Sequence, residues 1–296
     1  MRIDLHTHSR VSDGTESPAE LVRAAVAAGL DVVALTDHDT ADGWEEAAAA
    51  ARDAGIELVP GIEVSTRHDG SWGTAGVHLL AYLVDPTYQP LADELRHVLE
   101  GRQARVPTMV SRLNELGVSI TLADVAAASA DASATGRPHV ADALVTLGVV
   151  ADRTEAFDRY LGWSRPAYVD RYAAPLVDTI RHVAAAGGVS VIAHPWGRSR
   201  RQRPDEADLA ELREAGLTGI EVDHQGHAPE ARDRLRAIAR NLDLVVTGSS
   251  DYHGAGKTDH DLGCNTTDPE QYARLLDRAA DAARSSSRPT PEVVRP

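Results

Sequence analysis

Short apolar runs rich in β-branched residues recur along the chain, at 2–5, 32–35, 57–64, 77–84, 189–193, 219–222 and 244–247. Runs of this length bounded by turn residues predict seven strands, and most are followed by segments with a helical spacing of apolar positions. The first connecting helix opens on Ser17-Pro18-Ala19-Glu20, a capping box with proline in the first turn, and stops at Gly29. Asp268-Pro269-Glu270-Gln271 repeats the device ahead of a last helix that runs to about Arg284. Alternation of this kind predicts an α/β fold of parallel strands joined by crossover helices.

The alternation stops between Tyr88 and Tyr168. Helical patterns alone fill that stretch, at 91–116, 121–130, 139–147 and 154–161, so a helical insertion is expected at 88–168 within a barrel made of 1–87 and 169–284. The Ala/Ser-rich 126–135 reads as a helix end and a loop. Residues 285–296, rich in Ser, Pro and Arg, predict a disordered tail. No internal repeat is visible.

Composition narrows the function. The 296 residues are enough for one large barrel or two ordinary domains. No apolar run approaches the length of a membrane span, and Met1-Arg2-Ile3-Asp4 lacks a secretory leader pattern, so a cytoplasmic protein is expected. The single cysteine, Cys264, excludes an intramolecular disulfide and cysteine-based zinc sites. A net charge of −15 argues against coating long nucleic acid, which needs a broad cationic surface. The 13 histidines exceed Phe, Trp and Tyr taken together, and Lys257 is the only lysine among 30 basic residues.

Histidines and carboxylates fall where strands end, the edge on which an α/β barrel builds its site. They occur in His6-Thr7-His8, Ser12-Asp13-Gly14, Thr36-Asp37-His38-Asp39, Pro60-Gly61-Ile62-Glu63, at His78, in Ala193-His194-Pro195 and in Ser249-Ser250-Asp251-Tyr252-His253-Gly254. Side chains alternate along extended backbone, so His6 and His8 point the same way and can grip one ion. Singly, each group reads as an ordinary polar residue, and His78 also fits a core. Together, so many buried charges and imidazoles need partners, and the set predicts a polynuclear metal site. Asp37 and Asp39 read as hydrogen-bond acceptors or helix caps beside His38.

These motifs and their order, from His6-Thr7-His8 to Lys257 and Leu262-Gly263, resemble the PHP (polymerase and histidinol phosphatase) family of metal-dependent phosphoesterases. The resemblance implies a distorted seven-stranded (β/α) barrel holding two or three divalent ions, manganese, iron or zinc. It implies one ion on His6, His8, Glu63 and Asp251, a second on Glu63, His78 and His194, and a third on Asp13, His38 and His253. A metal-bridging hydroxide held by Glu63 would then be the nucleophile. Some family members carry histidine where Asp13 stands. Three divalent ions, three carboxylates and a hydroxide leave about two positive charges, a match for a phosphate dianion.

Substrate contacts are sought around that cluster. Thr135-Gly136-Arg137-Pro138-His139 opens a helix, which is an anion site or simply a loop with a proline start signal. It is similar to the Gly-Arg-Pro-His element of the nucleotide-acting branch of the family, which implies that Arg137 and His139 contact a substrate phosphate. Lys257 is a candidate phosphate contact or a solvated lysine. His227, in His224-Gln225-Gly226-His227, is a candidate to assist the leaving group or a surface-loop residue. Arg198, with Arg200, Arg201 and Arg203, would draw anions to the site mouth. His68, His97, His182 and His260 read as ordinary surface or helix residues.

The expected activity is hydrolysis of small nucleotides, with the 3′-phosphate of 3′,5′-nucleoside bisphosphates as the leading case. Trimming of short RNA from its 5′ end would use the same chemistry. No membrane or protein partner is implied. One rival is a histidinol-phosphate phosphatase, which has no use for a second anion contact. The other is a non-catalytic metal-stabilised binding module, which loss of ligands would mark.

Overall fold

The computed structural model describes residues 1–130, 132–197 and 203–296. β1 (Ile3–Asp4), β2 (Val32–Leu35) and β3 (Glu57–Gly70) run parallel, and β3 turns directly into an antiparallel partner, β4 (Gly73–Tyr82). A two-residue strand, β5 (Ala174–Pro175), lies beside β3. The sheet continues from β4 to an antiparallel β6 (Val189–Ile192), then to β7 (Gly219–Asp223) and β8 (Val245–Gly248), both parallel to β6. Just beyond β1 and β8, the Thr7–Tyr252 bridge and the bond from His8 N–H to Tyr252 O (2.8 Å) draw the two edges together. The result is a nearly closed, distorted barrel.

Two strand pairings depart from the all-parallel expectation: a short link explains β3 with β4, and the reversed direction of β4 then makes its pairing with β6 antiparallel as well. Only Ser71 and Trp72 separate β3 from β4, too short for a crossover, so the chain must form a hairpin. That hairpin pairs Ser65 with His78 and Glu63 with Leu80, bringing His78 back toward the end of β2.

Eleven α-helices surround or extend the sheet among the described residues, beginning with α1 (Pro18–Ala27) and α2 (Trp44–Ala54). The capping box at the head of α1 forms as expected: Glu20 N–H donates to Ser17 Oγ (3.1 Å) and Ser17 N–H to Glu20 Oε2 (2.8 Å). Then come α3 (Gln89–Ala104), α4 (Val106–Glu115), α5 (Leu122–Ser129), α6 (Arg137–Thr146) and α7 (Arg153–Ala156), the last running into a π-helical turn at Phe157–Leu161. Where the sequence predicts one helix over 91–116, there are two. Pro107 has no N–H to offer the Gln103 carbonyl, which takes the Arg105 N–H instead, and the chain bends at Arg105. Met109, Leu113, Val140, Leu144 and Leu161 pack into a core of this helical segment's own.

The remaining helices are α8 (Leu176–Ala185), α9 (Glu206–Glu214), α10 (Pro229–Asn241) and α11 (Pro269–Ser286). Ile3, Leu5, Val59, Leu80, Tyr82 and Val191 form a core that reaches Tyr272 and Leu275 of α11. Burying each such side chain is worth about 2 kcal/mol, so the strand ends are held on a firm base.

The expected disordered tail is instead packed. Val294 exchanges both backbone bonds with Leu58 (3.0 and 2.9 Å), and Arg288 reaches Asp85 (2.9 Å) across the Tyr88 ring. Val293 and Val294 supply the apolar anchors that a reading of Ser and Pro content overlooks. Among the described residues, no helix is long and apolar enough to cross a membrane.

Candidate active site

The end of β1 carries His6 and His8 into the barrel mouth, both fully buried. Their Nε2 atoms face each other at 3.1 Å. His6 Nδ1 lies 3.2 Å from Glu221 Oε1, and His8 Nδ1 lies 3.4 Å from Ser12 Oγ. With those Nδ1 atoms as donors, both Nε2 atoms present lone pairs. Glu63 Oε2 stands 3.2 and 3.1 Å from them, and Asp251 Oδ1 3.6 and 3.7 Å. Four such buried groups converging on one point need positive charge among them, from a proton on an imidazole or from a cation, and the donor set fits a metal ion.

Glu63 also faces a second group. Its Oε1 meets His78 Nδ1 and lies 3.3 Å from His194 Nε2. Across the floor, Asp13 Oδ1 is 3.2 Å from His253 Nε2 and its Oδ2 is 3.7 Å from His38 Nε2. Among the described residues, ligand atoms lie within 4.8 Å of one another in four sets: His6, His8 and Asp251; His8, Asp13, His38 and His253; His38, Glu63 and His78; and His224, Asp251 and His260, the last a residue the sequence reads as ordinary. Burial would raise the carboxyls of Asp13, Glu63 and Asp251, but the imidazoles around them, and Lys257 beside Asp251, hold all three well below the usual range. Burial pushes His38 well down, which keeps its ring a neutral donor of lone pairs.

The backbone pays for this convergence. His194 (φ 33°), Asp251 (φ 55°) and Asp39 (φ 60°) all take the left-handed conformation that non-glycine residues seldom adopt. Asp37 and Asp39 stand behind the floor. Asp37 accepts from Ser9 N–H (2.8 Å), Ser9 Oγ and Ser12 Oγ (both 2.6 Å). Asp39 accepts from Ser65 N–H and Arg102 Nε, each at 2.6 Å.

Glu221, fully buried on β7, has no counterpart in the sequence reading. It accepts from His6 Nδ1, from the backbone N–H of His194 (2.8 Å) and from Ser249 Oγ, and so orients the His6 imidazole and fixes the backbone that carries His194. Burial acts to raise its carboxyl, yet chiefly His6 brings it down to about 2. The signal was a lone carboxylate inside the apolar run Gly219-Ile220-Glu221-Val222.

His227 does not take the part considered for it. Its Nδ1 bonds Val222 O (2.9 Å) and its Nε2 accepts from Trp196 N–H (3.1 Å), which leaves no ring nitrogen for a leaving group. The neighbouring His224 borders the floor instead, with Nε2 3.3 Å from Asp251 Oδ2.

A cavity of about 490 Å³ opens above the floor. Asp13, His38, Glu63, His78, Asp251 and His253 line its floor, with Lys257 beside Asp251, and Arg102, Arg105, Arg137, Arg153 and Arg171 also line it. Arg137 lines the cavity, held between the rings of Phe157 (5.5 Å) and Tyr168 (5.4 Å). Lys257 reaches the cavity while pairing with Asp251. His139 is buried and caps α6, its Nδ1 accepting from Gly136 N–H (3.1 Å), and unlike Arg137 it is not among the residues that line the cavity. Arg198, Arg200 and Arg201 lie outside the described residues, whereas Arg203 folds back on Trp196.

The cavity's arginines are not equivalent. Arg102 is matched by Asp39, and Arg153 by Asp142 at 2.5 Å while it also donates to Asp13 O (2.8 Å). Arg105 is different: it is buried, its Nε has no hydrogen-bond partner, and its charged neighbours are Arg137, Arg171 and Arg102. Burial, reinforced by those like charges, pushes its guanidinium down to about 8, and Arg171's down to about 9. A buried cation held among cations calls for an anion.

Comparison with known proteins agrees with this geometry. Residues 4–248 match the PHP domain family. The chain is 34% identical over 280 residues to the 3′,5′-nucleoside bisphosphate phosphatase of Chromobacterium violaceum, spanning 95% of this chain and 96% of that one. It is 35% identical over 252 residues to a 5′-3′ exoribonuclease of Haemophilus influenzae, spanning 85% and 90%. Among solved structures, a Bifidobacterium adolescentis protein described as a metal-dependent phosphoesterase superposes with a TM-score of 0.87 at 37% identity, covering 93% of this chain and 96% of that one. A Chromobacterium violaceum amidohydrolase with bound sulfate and no metal superposes at 0.82 with 34% identity, covering 94% and 97%.

Proposed function

Because this chain belongs to the PHP domain family, we propose that it is a metal-dependent phosphoesterase of the cytoplasm that hydrolyses small nucleotides, chiefly removing the 3′-phosphate of 3′,5′-nucleoside bisphosphates. The observation that carries this reading is one cavity lined both by an imidazole and carboxylate floor and by the buried Arg105, which has no anionic partner. A substrate with two phosphates has a use for both. The relatives named for nucleoside bisphosphates and for 5′-3′ exoribonucleolysis support the same substrate class.

We assign divalent ions, manganese, iron or zinc, to three donor sets: His6, His8, Glu63 and Asp251; Glu63, His78 and His194; and Asp13, His38 and His253. Ions held there supply Lewis acidity and bring the pKa of water toward neutrality. The chain's own residues do the rest. Glu63 offers one oxygen to each of two donor sets and so fixes their separation, while Glu221 keeps the His6 ring turned for its part. The scissile phosphate lies on the floor beside Lys257. Arg105, Arg171 and Arg137 hold the second phosphate. Binding energy gained at the second phosphate orients the first, which is how a remote anion contact raises the rate.

Short RNA fits the same site because a diester differs from a monoester only in its leaving group. Long polymers remain disfavoured by the chain's net charge of −15. Histidinol phosphate carries no second anion for Arg105, and a purely structural module has no use for a fully lined floor.

The test is phosphate or nucleotide release by the purified protein with Mn²⁺, from 3′,5′-adenosine bisphosphate, AMP, histidinol phosphate and a short 5′-phosphorylated RNA. The bisphosphate should be the best substrate and His38→Ala should be inactive. No release from any of them, or equal rates for parent and variant, would overturn the reading.

A further inference from the structure

The rim of the cavity carries a residue that neither the floor nor the arginine wall uses. Trp163 lines the opening yet is 78% exposed, more than any other large apolar side chain among the described residues. A tryptophan left in water forfeits about 2–3 kcal/mol of burial unless something covers it.

Local backbone explains why it stands there. Phe157–Leu161 is a π-helical turn, an uncommon geometry that is frequent at functional sites. Gly162 N–H closes it on Phe157 O at 2.8 Å. A Cβ at Gly162 would lie 2.6 Å from that same oxygen, so the turn ends only on glycine, and the next residue is thrown outward. Trp163 meets Tyr168 edge-on, with ring centroids 5.2 Å apart and planes at 68°. An edge-on neighbour steadies an indole without covering its faces. Tyr168 in turn packs on Arg137, which faces the cavity. A flat apolar face therefore rises from a wall of guanidinium groups at the cavity mouth. A ligand complementary to both has a planar ring attached to phosphates.

We infer that Trp163 is the platform on which the substrate's nucleobase stacks, so that the cavity selects nucleotides over phosphate esters without a base. This rests on the function proposed above and adds the residue that reads the base. Stacking on aromatic side chains tolerates any base, so the preference is for a base rather than for one base.

The test compares binding of AMP and of ribose 5-phosphate to the Mn²⁺-loaded protein by calorimetry, in the parent, Trp163→Ala and Trp163→Phe. The parent should bind AMP more tightly than ribose 5-phosphate. Trp163→Ala should cut the ratio of the two dissociation constants about tenfold, and Trp163→Phe should restore most of it. An equal change for both ligands, or a ratio unmoved by Trp163→Ala, overturns the stacking role. So does a parent that does not distinguish the ligands. Phosphate release is scored separately: if the ratio responds to Trp163 while no nucleotide is hydrolysed, the stacking role stands and the catalytic reading falls.

Discussion

Asp251 on the cavity floor and Arg105 in its arginine wall are both buried charges, and they are held in opposite ways. Asp251 is surrounded by His6, His8, His224 and Lys257, so its negative charge is favoured before any ligand arrives. Arg105 has an unbonded Nε and three arginines as its charged neighbours. The floor is thus organised in advance to take cations, whereas the wall stores repulsion that an anion relieves. Stored repulsion lowers the stability of the free protein and returns as binding energy when the right substrate enters.

The sharpest way to break this contrast is to remove the floor's central charge. Glu63→Gln keeps the shape but takes the negative charge shared by two donor sets, and kcat/KM for the bisphosphate should fall on the order of 10³-fold or more. Steady-state phosphate release checks it, and a loss under tenfold would mean that Glu63 is peripheral. A smaller effect is expected one layer behind. Glu221→Gln leaves the ligands in place but loosens His6 and His194, so Mn²⁺ affinity, followed by titration calorimetry, should weaken about 10–100-fold. Unchanged affinity would remove its positioning role.

The smallest effect concerns a buried histidine that belongs to neither wall. Burial, opposed in part by the bond to Val222 O, holds His227 below its ordinary pKa near 6.5. Below about pH 6.5 the unfolded chain takes up a proton that the folded one refuses, so stability is present above that pH and is lost as pH falls. Urea denaturation should show the parent weakening from pH 7.5 to 5.5, and His227→Gln should flatten part of that slope. Identical slopes would contradict the assignment.

The two walls also differ in how far the sequence reveals them. Floor residues sit in short motifs at strand ends, and His6-Thr7-His8 needs only the two-residue period of a strand to be read as a pair. Glu221 is silent because a carboxylate in an apolar run looks like an interruption. His227 and His224 share one turn, and only the bonds from Val222, Trp196 and Gly226 decide which faces Asp251. The direction of β4 follows from a two-residue link that its apolar pattern does not mark. The arginine wall is the least legible: Arg105, Arg137 and Arg171 are far apart in a chain full of arginine, and what distinguishes Arg105 is the lack of a partner, a property of tertiary structure alone.

Preference for a second phosphate therefore rests most directly on Arg105. The measurement is kcat/KM for 3′,5′-adenosine bisphosphate and for adenosine 3′-monophosphate, which lacks the second phosphate, in the parent and in Arg105→Met, with thermal melting of both proteins alongside. The parent should prefer the bisphosphate by about 100-fold, an amount in keeping with a charge-assisted anion contact. Arg105→Met should lose most of that preference while melting at a higher temperature in the absence of phosphate, because a buried uncompensated charge has gone. A variant that keeps the full preference and melts no higher would contradict the claim that this wall stores charge for a second phosphate.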